Sequence, residues 1–419
     1  MKKIKMSFMH FLMVAGVMLA ATPVHSEGSG PFVTISGFVK DAKSKSPIAY
    51  AAIYVTEAGI GTVANIEGFF TLKLEKPVRA KAFTISHIGF QTMTVDIEEN
   101  IGKSRDFLLT AQMVNLPEVV VRPKDARELV RSAIFKIPEN YPNQGQRLTG
   151  FYRETIKRRR DFVAVAEAVV DVEQSPYRAF PGSDRVKILQ ARKSGDVKRM
   201  DTLLVKLQGG PHVSMMLDVV KTQDIILDQE LLKYFNYEIV DLVMIEGRTN
   251  YVVNFKPNAI FEVPMYSGTF FIDVQDLAFT RIDFELDISD VSKATKLLVV
   301  RMPPRLRFNP LNVSYTVSYR KIGDKYFVNY MRNELEFYAD WRRRLFRTRY
   351  TIMSEMAITE RITSTERIAR REAFKQNQIL ADMVMSYFDK DFWGSYNIIE
   401  PDKSIETAID RFNRRLTRD

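Results

Sequence analysis

The sequence has no cysteine among its 419 residues, and it has only four histidines. Without cysteine the chain can form no disulfide, no thiolate nucleophile and no cysteine-ligated metal site. Two of the histidines, His10 and His25, precede residue 27, which leaves His87 and His212. A zinc peptidase needs closely spaced His and Glu ligands plus a distant one, and neither remaining histidine has that spacing. We predict that both are structural and that the chain holds no metal and no cofactor.

Other catalytic signatures are also missing. The sequence contains no G-x-S-x-G elbow and no P-loop, so Ser183 and Ser214 are predicted to be ordinary polar residues. The carboxylates Glu98, Asp287 and Asp290 lack the spacing of a calcium loop and are predicted to lie in solvated turns. We therefore predict no catalytic residue and a protein that is not an enzyme. A hydrolase that uses carboxylates alone stays open as an alternative.

Long apolar runs are scarce, and the clearest one, Phe8 to Ala21, follows three lysines within the first five residues. A basic start, a short apolar run and a small-residue exit are typical of a secretory signal peptide, predicted here as residues 1–26. A membrane anchor is the alternative, but the run is short for a span. No later stretch approaches eighteen apolar residues, so we expect no transmembrane helix in the mature chain. Export without cysteine suits a bacterial periplasm or the periplasmic face of the outer membrane.

The charge is unbalanced, with 61 lysines and arginines against 51 acidic residues and a formal net charge of +10. An exported protein meets little nucleic acid, so anionic lipid head groups or acidic glycans are the expected partners of a basic patch. The alternative, favoured by interleaved acids such as Glu366 and Glu372, is a solvated charged face. The basic clusters are Lys157–Arg160, Arg342–Arg344, Arg367–Arg371 and Arg411–Arg418. The candidate patch for an anionic partner consists of Arg158, Arg159, Arg160, Arg342, Arg343 and Arg344.

The region from Val33 to Ile97 alternates apolar and polar residues in five short runs separated by turn-forming residues. This period of two is typical of strands with one buried face, and it predicts a small β-sandwich. The residues predicted to share the buried faces are Val33, Ile35, Val39, Ala51, Ile53, Val55, Phe70, Leu72, Leu74, Phe83, Ile85, Met93, Val95 and Ile97.

The same region carries the patterns I-S-G-x-V-x-D, P-I-x-x-A-x-I, G-T-x-x-N-x-x-G-x-F-x-L and S-x-I-G-F. They resemble the carboxypeptidase regulatory-like domain, in the form that Bacteroidetes place before TonB-dependent transporters, although no plug or barrel follows here. The resemblance implies a seven-stranded, transthyretin-like sandwich of non-catalytic role at residues 31–121. The motif positions of that domain fall on Gly37, Pro47, Gly61, Thr62, Asn65, Gly68, Phe70 and Gly89.

A linker helix is predicted for residues 122–145. Asp125 is a candidate N-cap and Glu128, three residues later, completes the pattern of a capping box. Apolar residues at helical spacing follow, and Pro138 is predicted to end the helix.

Residues 146–358 predict an α+β domain with a curved antiparallel sheet. A basic turn separates its first two strands, Gln174 to Arg199 is predicted to be a loop, and His212 to Lys221 a helix. Six further strands are predicted at Asn250–Phe255, Tyr266–Val274, Phe279–Leu286, Leu311–Tyr319, Tyr326–Tyr338 and Leu345–Ile358. Residues 359–419 predict a basic helical segment that packs on the open side of this sheet, with a membrane-surface helix as the alternative. Its apolar positions are Phe374, Ile379, Leu380, Met383, Val384, Phe388, Ile405, Ala408, Ile409, Phe412 and Leu416.

The predicted fold class is therefore mainly β with α, an N-terminal β-sandwich followed by an α+β domain. The predicted function is a non-catalytic periplasmic or outer-membrane-associated binding or docking protein, whose partner is a cell-envelope protein or an anionic lipid or glycan. One alternative is a carrier of a lipid or other apolar ligand, because Gly268–Phe284 resembles the strand pair of lipoprotein-carrier half-barrels and such a carrier would enclose a cavity. The second alternative is the carboxylate-dependent hydrolase.

Overall fold

The computed structural model describes most of the chain after residue 30. The described residues are 31–112, 125–177, 184–195, 206–207, 210–223, 226–301, 305–342, 346–362, 366–375, 378, 380 and 392–416. The predicted signal peptide, the last residues of the predicted sandwich (113–121), Ser183, Arg343, Arg344, Ile379, Met383, Val384 and Phe388 lie outside them. Strands predominate in the described residues, and the predicted fold class is confirmed.

The first seven strands form the predicted sandwich. They are β1 Phe32–Asp41, β2 Ala52–Val55, β3 Ile60–Val63, β4 Phe69–Glu75, β5 Ala82–Ser86, β6 Met93–Asp96 and β7 Ser104–Leu109. One sheet has the order β4-β1-β7, and the other has the order β3-β2-β5-β6. The alternating apolar residues of the two sheets meet in one buried core that contains Ile35, Phe70 and Phe83. Burial of one face of each sheet explains the period of two in the sequence.

Two of the motif positions show why a small residue is needed. A Cβ on Gly37 would lie 2.1 Å from the carbonyl oxygen of Arg105 on the paired strand β7. Gly68 has a φ of +76°, and its Cβ would lie 2.5 Å from the carbonyl oxygen of Val39. Close approach of the neighbouring backbone therefore requires glycine at position 37. At position 68 glycine is required both by close backbone approach and by the positive φ.

Ten longer strands form a second, curled antiparallel sheet. They are β8 Gln146–Arg158, β9 Asp161–Gln174, β10 Arg185–Gly195, β12 Phe235–Ile245, β13 Arg248–Pro257, β14 Tyr266–Asp273, β15 Phe279–Leu286, β17 Leu306–Ile322, β18 Lys325–Trp341 and β19 Thr348–Ile362. Their order across the sheet is β12-β13-β14-β15-β17-β18-β19-β8-β9-β10. A separate pair joins β11 Lys206–Leu207 to β16 Val299–Arg301. The six predicted consecutive strands are present, and the curved sheet is larger than the sequence indicated.

Two of the ten strands of the curled sheet were not predicted. The segment Gln174–Arg199 was expected to be a loop, which is wrong, because β10 occupies residues 185–195 and pairs with β9. β10 is an edge strand with a register shift between Ile188 and Gln190, so its apolar residues do not alternate regularly. β12, the opposite edge strand, also has a register shift, between Ile239 and Asp241. Edge strands tolerate polar side chains on both faces, which hides them from pattern analysis.

Six α-helices have both of their ends within the described residues. They are α1 Ala126–Phe135, α2 Ile137–Asn140, α3 Pro211–Met216, α4 Val219–Thr222, α5 Val291–Leu298 and α6 Lys403–Leu416. Asp125 caps α1 as predicted, accepting from the Arg127 N–H at 2.8 Å. Glu128 instead pairs with Arg131 at 3.0 Å. Pro138 does not end α1 but lies in the first turn of α2.

The predicted single helix His212–Lys221 is wrong, because the chain breaks between α3 and α4. Asp218 causes the break: its side chain caps α4 and is fully buried against two tyrosines. The Tyr177 hydroxyl donates to Asp218 at 2.6 Å and the Tyr319 hydroxyl donates at 2.8 Å. Short polar side chains favour such caps over a helix interior.

One face of the curled sheet, here the inner face, packs against α1 to α4 in the largest core of the protein. Phe374 and Leu380 join this core. Phe374 lies in residues 366–375, which form no helix, whereas Leu380 is in a helical conformation. β19 continues to Ile362, so the predicted boundary at residue 358 falls inside a strand. Residues 392–402, here the C-terminal strap, and α6 lie on the opposite, outer face, where Ile405, Ala408 and Ile409 of α6 meet the β9 residues Phe162 and Val165.

Candidate functional site

A row of five charged residues crosses the outer face of the curled sheet. The row contains Arg332 on β18, Glu355 on β19, Arg153 on β8, Glu167 on β9 and Arg192 on β10. Each is the direct cross-strand partner of the next. The charges alternate in sign along this charged row, and directly opposed residues of opposite charge attract each other.

The centre of the charged row is a buried ion-pair network. The Nη2 atom of Arg153 lies 2.7 Å from Oε1 of Glu167, and its Nη1 atom lies 3.3 Å from Oε1 of Glu355. The Nε atom of Arg192 donates to the second oxygen of Glu167 at 2.7 Å. Tyr330 donates to Glu355 at 2.8 Å. Each buried carboxylate therefore has at least two donors, as a charge removed from water requires.

The electrostatics keep Arg153 and Glu167 ionised. Burial by itself would raise the pKa of Glu167, but the charges of Arg153 and Arg192 and their hydrogen bonds outweigh it and lower that pKa below its usual value. Burial by itself would lower the pKa of Arg153, but Glu167 and Glu355 outweigh it and raise that pKa. A general acid needs a raised carboxyl pKa, so Glu167 is tuned in the opposite direction.

Two other parts of the protein cover the charged row. The strap residue Ile399 accepts from Nη2 of Arg153 through its carbonyl oxygen at 2.6 Å. From the sandwich, the Tyr50 hydroxyl accepts from Nη1 of Arg332 at 2.7 Å. The charged row thus binds strap, sandwich and sheet to one another.

The sandwich and the strap are also bonded directly. Thr62, a motif position on β3, donates to the carbonyl oxygen of Ile398 at 2.7 Å. The side-chain amide of Asn397 makes two hydrogen bonds with the backbone of Lys73. Its oxygen accepts from the Lys73 N–H at 2.7 Å, and its nitrogen donates to the Lys73 carbonyl oxygen at 2.9 Å. Asn65, another motif position, holds its own turn by accepting from the Phe69 N–H at 2.9 Å, and its amide donates to the strap at Pro401. Motif residues therefore serve both the sandwich turn and its contact with the strap.

The sandwich also joins the curled sheet itself. Ile60 of β3 forms a bridge with Glu360 of β19, just past the last β19 residue that pairs with β18 and next to a register shift in the pairing of β19 with β8. On the adjacent side, the Arg320 guanidinium stacks 3.6 Å from the ring of Tyr54. The N–H of Gly89, the last motif position, donates to Met244 at the β12–β13 hairpin at 3.0 Å. The sandwich is thus held against one end of the sheet at several separated points.

A small open cleft of about 80 Å³ lies where sandwich, strap and charged row meet. Its carboxylates already have partners: Glu334 accepts from Arg332 at 2.7 Å, and Asp402 caps α6 by accepting from the Ser404 N–H at 2.8 Å. Carboxylates with such partners stabilise the structure. A carboxylate-dependent hydrolase would instead need two carboxyl groups that are free to exchange protons with a substrate.

The described residues of the predicted basic patch lie at the other end of the same strands. Arg158, Arg159 and Arg160 form the β8–β9 turn, and the backbone N–H of Arg159 donates to Arg349 at the start of β19. Arg342 follows β18, and its N–H donates to the Arg305 carbonyl before β17. Strand register therefore gathers arginines from three separate segments. This basic rim consists of Arg158, Arg159, Arg160, Arg305, Arg307, Arg342, Arg347 and Arg349.

The two histidines are in different domains. His87 follows β5, where burial lowers its pKa and its ring meets Phe90 edge-on at 5.6 Å. His212 is buried in α3. Within the described ranges no three His, Asp or Glu side chains are grouped as metal ligands.

The remaining candidate residues occupy turns and caps. Glu98 lies in a short 3-10 helix, and Asp290 caps α5 by accepting from Ser292 and Lys293. Ser214 is a buried residue of α3. The described part of the chain has no helix of the length and apolarity that a membrane crossing requires.

The charged row was not predicted from the sequence. The sequence feature that could have indicated it is Glu167, the single charged residue within the apolar stretch Phe162–Val170. A lone charge on a buried strand needs a partner of opposite charge. The partners could not be identified from the sequence, because they lie on β8, β10 and β19 and depend on register.

Comparison with known proteins identifies one domain. Residues 35–121 match the family model described as the CarboxypepD_reg-like domain. No curated protein matches the chain. Among solved structures, the chain is similar to a DUF1329 family protein from Desulfovibrio piger ATCC 29098, at 12% identity and a TM-score of 0.24. That alignment covers 56% of this chain and 94% of the other.

Proposed function

We propose that this protein is a non-catalytic binding protein of the bacterial cell envelope that recognises an anionic partner at its basic rim. The observation that carries the proposal is the convergence of arginines from the β8–β9 turn, the start of β17 and the β18–β19 connection at one end of the sheet. A concentration of one charge sign attracts and orients a partner of the opposite sign.

The position of the rim supports a division of roles. The CarboxypepD_reg-like domain contacts β19 at Glu360, near the C-terminal end of the strand. The rim lies at the N-terminal end of the same strand, before Tyr350. A partner bound at the rim therefore does not compete with the contacts that hold the domain. The sandwich stays free to dock elsewhere in the envelope through its outward surfaces.

Two further observations support a binding role without chemistry. The carboxylates of the interdomain cleft are ion-paired or cap a helix, and the two histidines lie in separate domains. The inner face of the sheet is packed with side chains of α1 to α4, which does not favour the carrier alternative. Export is proposed from the basic and apolar pattern of residues 1–26.

Binding to an anionic polymer tests this function. The purified protein is applied to dextran sulfate resin and eluted with salt, with neutral dextran resin as reference. The variant R158Q/R159N/R160Q should elute at lower salt, because three of the rim cations are removed. Asparagine is chosen at position 159 because Arg159 has a φ of +60°.

The matched control removes three exposed cations of the sandwich, in K43Q/R79Q/K81Q. This variant has the same net charge as the rim variant and should elute close to wild type. Equal elution of the rim variant and the control would show that net charge alone governs retention and would overturn the proposal.

A further inference from the structure

We propose that the anionic partner is the surface of a lipid bilayer, and that Phe346 inserts into it between the arginines of the basic rim. The inference rests on the proposed function, since it takes the rim to be the binding surface, and it adds the partner and the orientation of the protein on it.

Phe346 carries the inference because a large apolar side chain stands in water within a basic rim. It lies between the ends of β18 and β19, and 77% of it is exposed. Its neighbour Arg347 stacks on Tyr338 at 4.0 Å, and Arg349 pairs with Glu336. An exposed aromatic residue flanked by cations has the composition of a membrane-interface anchor, whose ring enters the acyl boundary while the cations stay at the head groups.

Other exposed apolar residues lie at the same end of the sheet. β15 ends and β17 begins there, so the β13–β14 loop and α5 are found there too. The two are in contact, because the Lys293 side chain of α5 donates to the Phe261 carbonyl at 2.9 Å. Their exposed apolar residues are Ile260, Val263, Val291 and Leu297. Exposed apolar side chains concentrated at one end of a protein indicate an interaction surface.

The distribution of charge at this end of the sheet determines how the protein would be oriented on an anionic bilayer. The rim around Phe346 has eight arginines, and the carboxylates of the same strand ends are Asp161, Glu336 and Asp340. The β13–β14 loop, α5 and the approach to α5 instead carry both signs, with Glu262, Asp287 and Asp290 against Lys293 and Lys296. An anionic surface therefore meets the Phe346 side most closely.

A bilayer fits this combination better than a soluble polyanion does. Sulfated or phosphorylated polymers satisfy arginines but offer no apolar phase for a side chain to enter, whereas a bilayer offers both. With the rim on the membrane, the sandwich stands at the far end of β19. The twelve residue steps from Thr348 to Glu360 place it at most about 40 Å from the surface, at about 3.3 Å per residue.

Vesicle cosedimentation of residues 27–419, which lack the apolar run of the predicted signal peptide, tests the inference. The protein is mixed with vesicles of phosphatidylcholine containing 30% phosphatidylglycerol, and with vesicles of phosphatidylcholine alone, at low and at physiological salt. We expect binding to the anionic vesicles that weakens as salt rises. R158Q/R159N/R160Q should weaken it by roughly fivefold for each cation that reaches the surface.

The decisive variant is Phe346→Ser, which leaves every charge in place. It should reduce binding to anionic vesicles at least severalfold while elution from dextran sulfate stays unchanged. Its control is Phe135→Ser, because Phe135 is 75% exposed on α1, away from the rim, and should affect neither assay. Circular dichroism of each variant verifies that it folds.

The outcomes separate the two proposals. If F346S binds anionic vesicles as well as wild type, or if wild type does not bind them, the bilayer inference is overturned, and the dextran sulfate result decides the proposed function alone. If the arginine variant matches its sandwich control in both assays, both proposals are wrong.

Discussion

Arg153 and Glu167, cross-strand partners on β8 and β9, are each only 1% exposed and lie 2.7 Å apart. A slip of the two strands by one residue would place Arg153 opposite an alanine and Glu167 opposite Tyr152 or Glu154, so neither charge would face one of opposite sign. We infer that the charged row specifies the register of the central strands, and that this register in turn positions the basic rim at one end and the sandwich at the other.

Removing Arg153 should strongly destabilise the protein. Arg153→Met leaves Glu167 and Glu355 buried without their shared cation, and loss of one partner of a buried pair typically costs about 3–5 kcal/mol. Urea unfolding at pH 7 measures the change. The double variant R153M/E167Q removes one of the stranded charges and should recover part of the loss. An R153M variant within about 1 kcal/mol of wild type would show that the network is not needed for stability.

Asp218 should make stability depend on pH. Burial raises its pKa above the usual value, although hydrogen bonds from Tyr177 and Tyr319 oppose this. For a carboxyl with a raised folded-state pKa, stability is fully present below the unfolded pKa and is lost as pH rises through the folded pKa. Asp218→Asn keeps the shape but cannot ionise, so wild type should lose stability relative to D218N between pH 4 and 7. Urea unfolding at both pH values tests this, and a constant difference would contradict it.

Asn397 should hold the strap on the sandwich. Asn397→Ala removes both hydrogen bonds to the Lys73 backbone and leaves a buried donor and acceptor without their partner, at a cost of about 1–3 kcal/mol. Hydrogen exchange at the Lys73 amide should accelerate. Ser395→Ala in the same strap is the control. Equal protection of the Lys73 amide in N397A and wild type would refute this role.

The motif glycines should differ in their tolerance of alanine. Gly37→Ala places a Cβ against the Arg105 carbonyl of the paired strand, so we expect a loss of about 3 kcal/mol or more. Gly89 has a φ of +78° but no atom within 4 Å of its Cβ position, so Gly89→Ala should lose only about 1 kcal/mol. Thermal unfolding compares the two, and equal losses would show that steric contact is not the reason for Gly37.

Much of the fold could be predicted because its causes are local. The sandwich strands follow from alternating apolar residues and glycine-containing turns, and the cap of α1 follows from Asp125. Each of these features depends on residues close together in the chain. The prediction failed where a side chain bonds to a partner far away in the sequence. Asp218, for example, accepts a hydrogen bond from Tyr319 and interrupts the predicted helix.

Arginine content, the glycine motif and the period of two are properties of the linear chain, and they determined the domain type and the basic character of residues 157–160 and 342–344. Which arginines become ion-pair partners in a buried row and which remain at a rim was decided by strand register alone. Arg153 and Arg158 are five residues apart on one strand. The first lies opposite Glu167 and Glu355, whereas the second lies opposite Tyr350 and Asp161, at the end where the strands turn. Pairing between strands far apart in sequence sets that difference, because the partner of each charge is supplied by a neighbouring strand and not by its own segment.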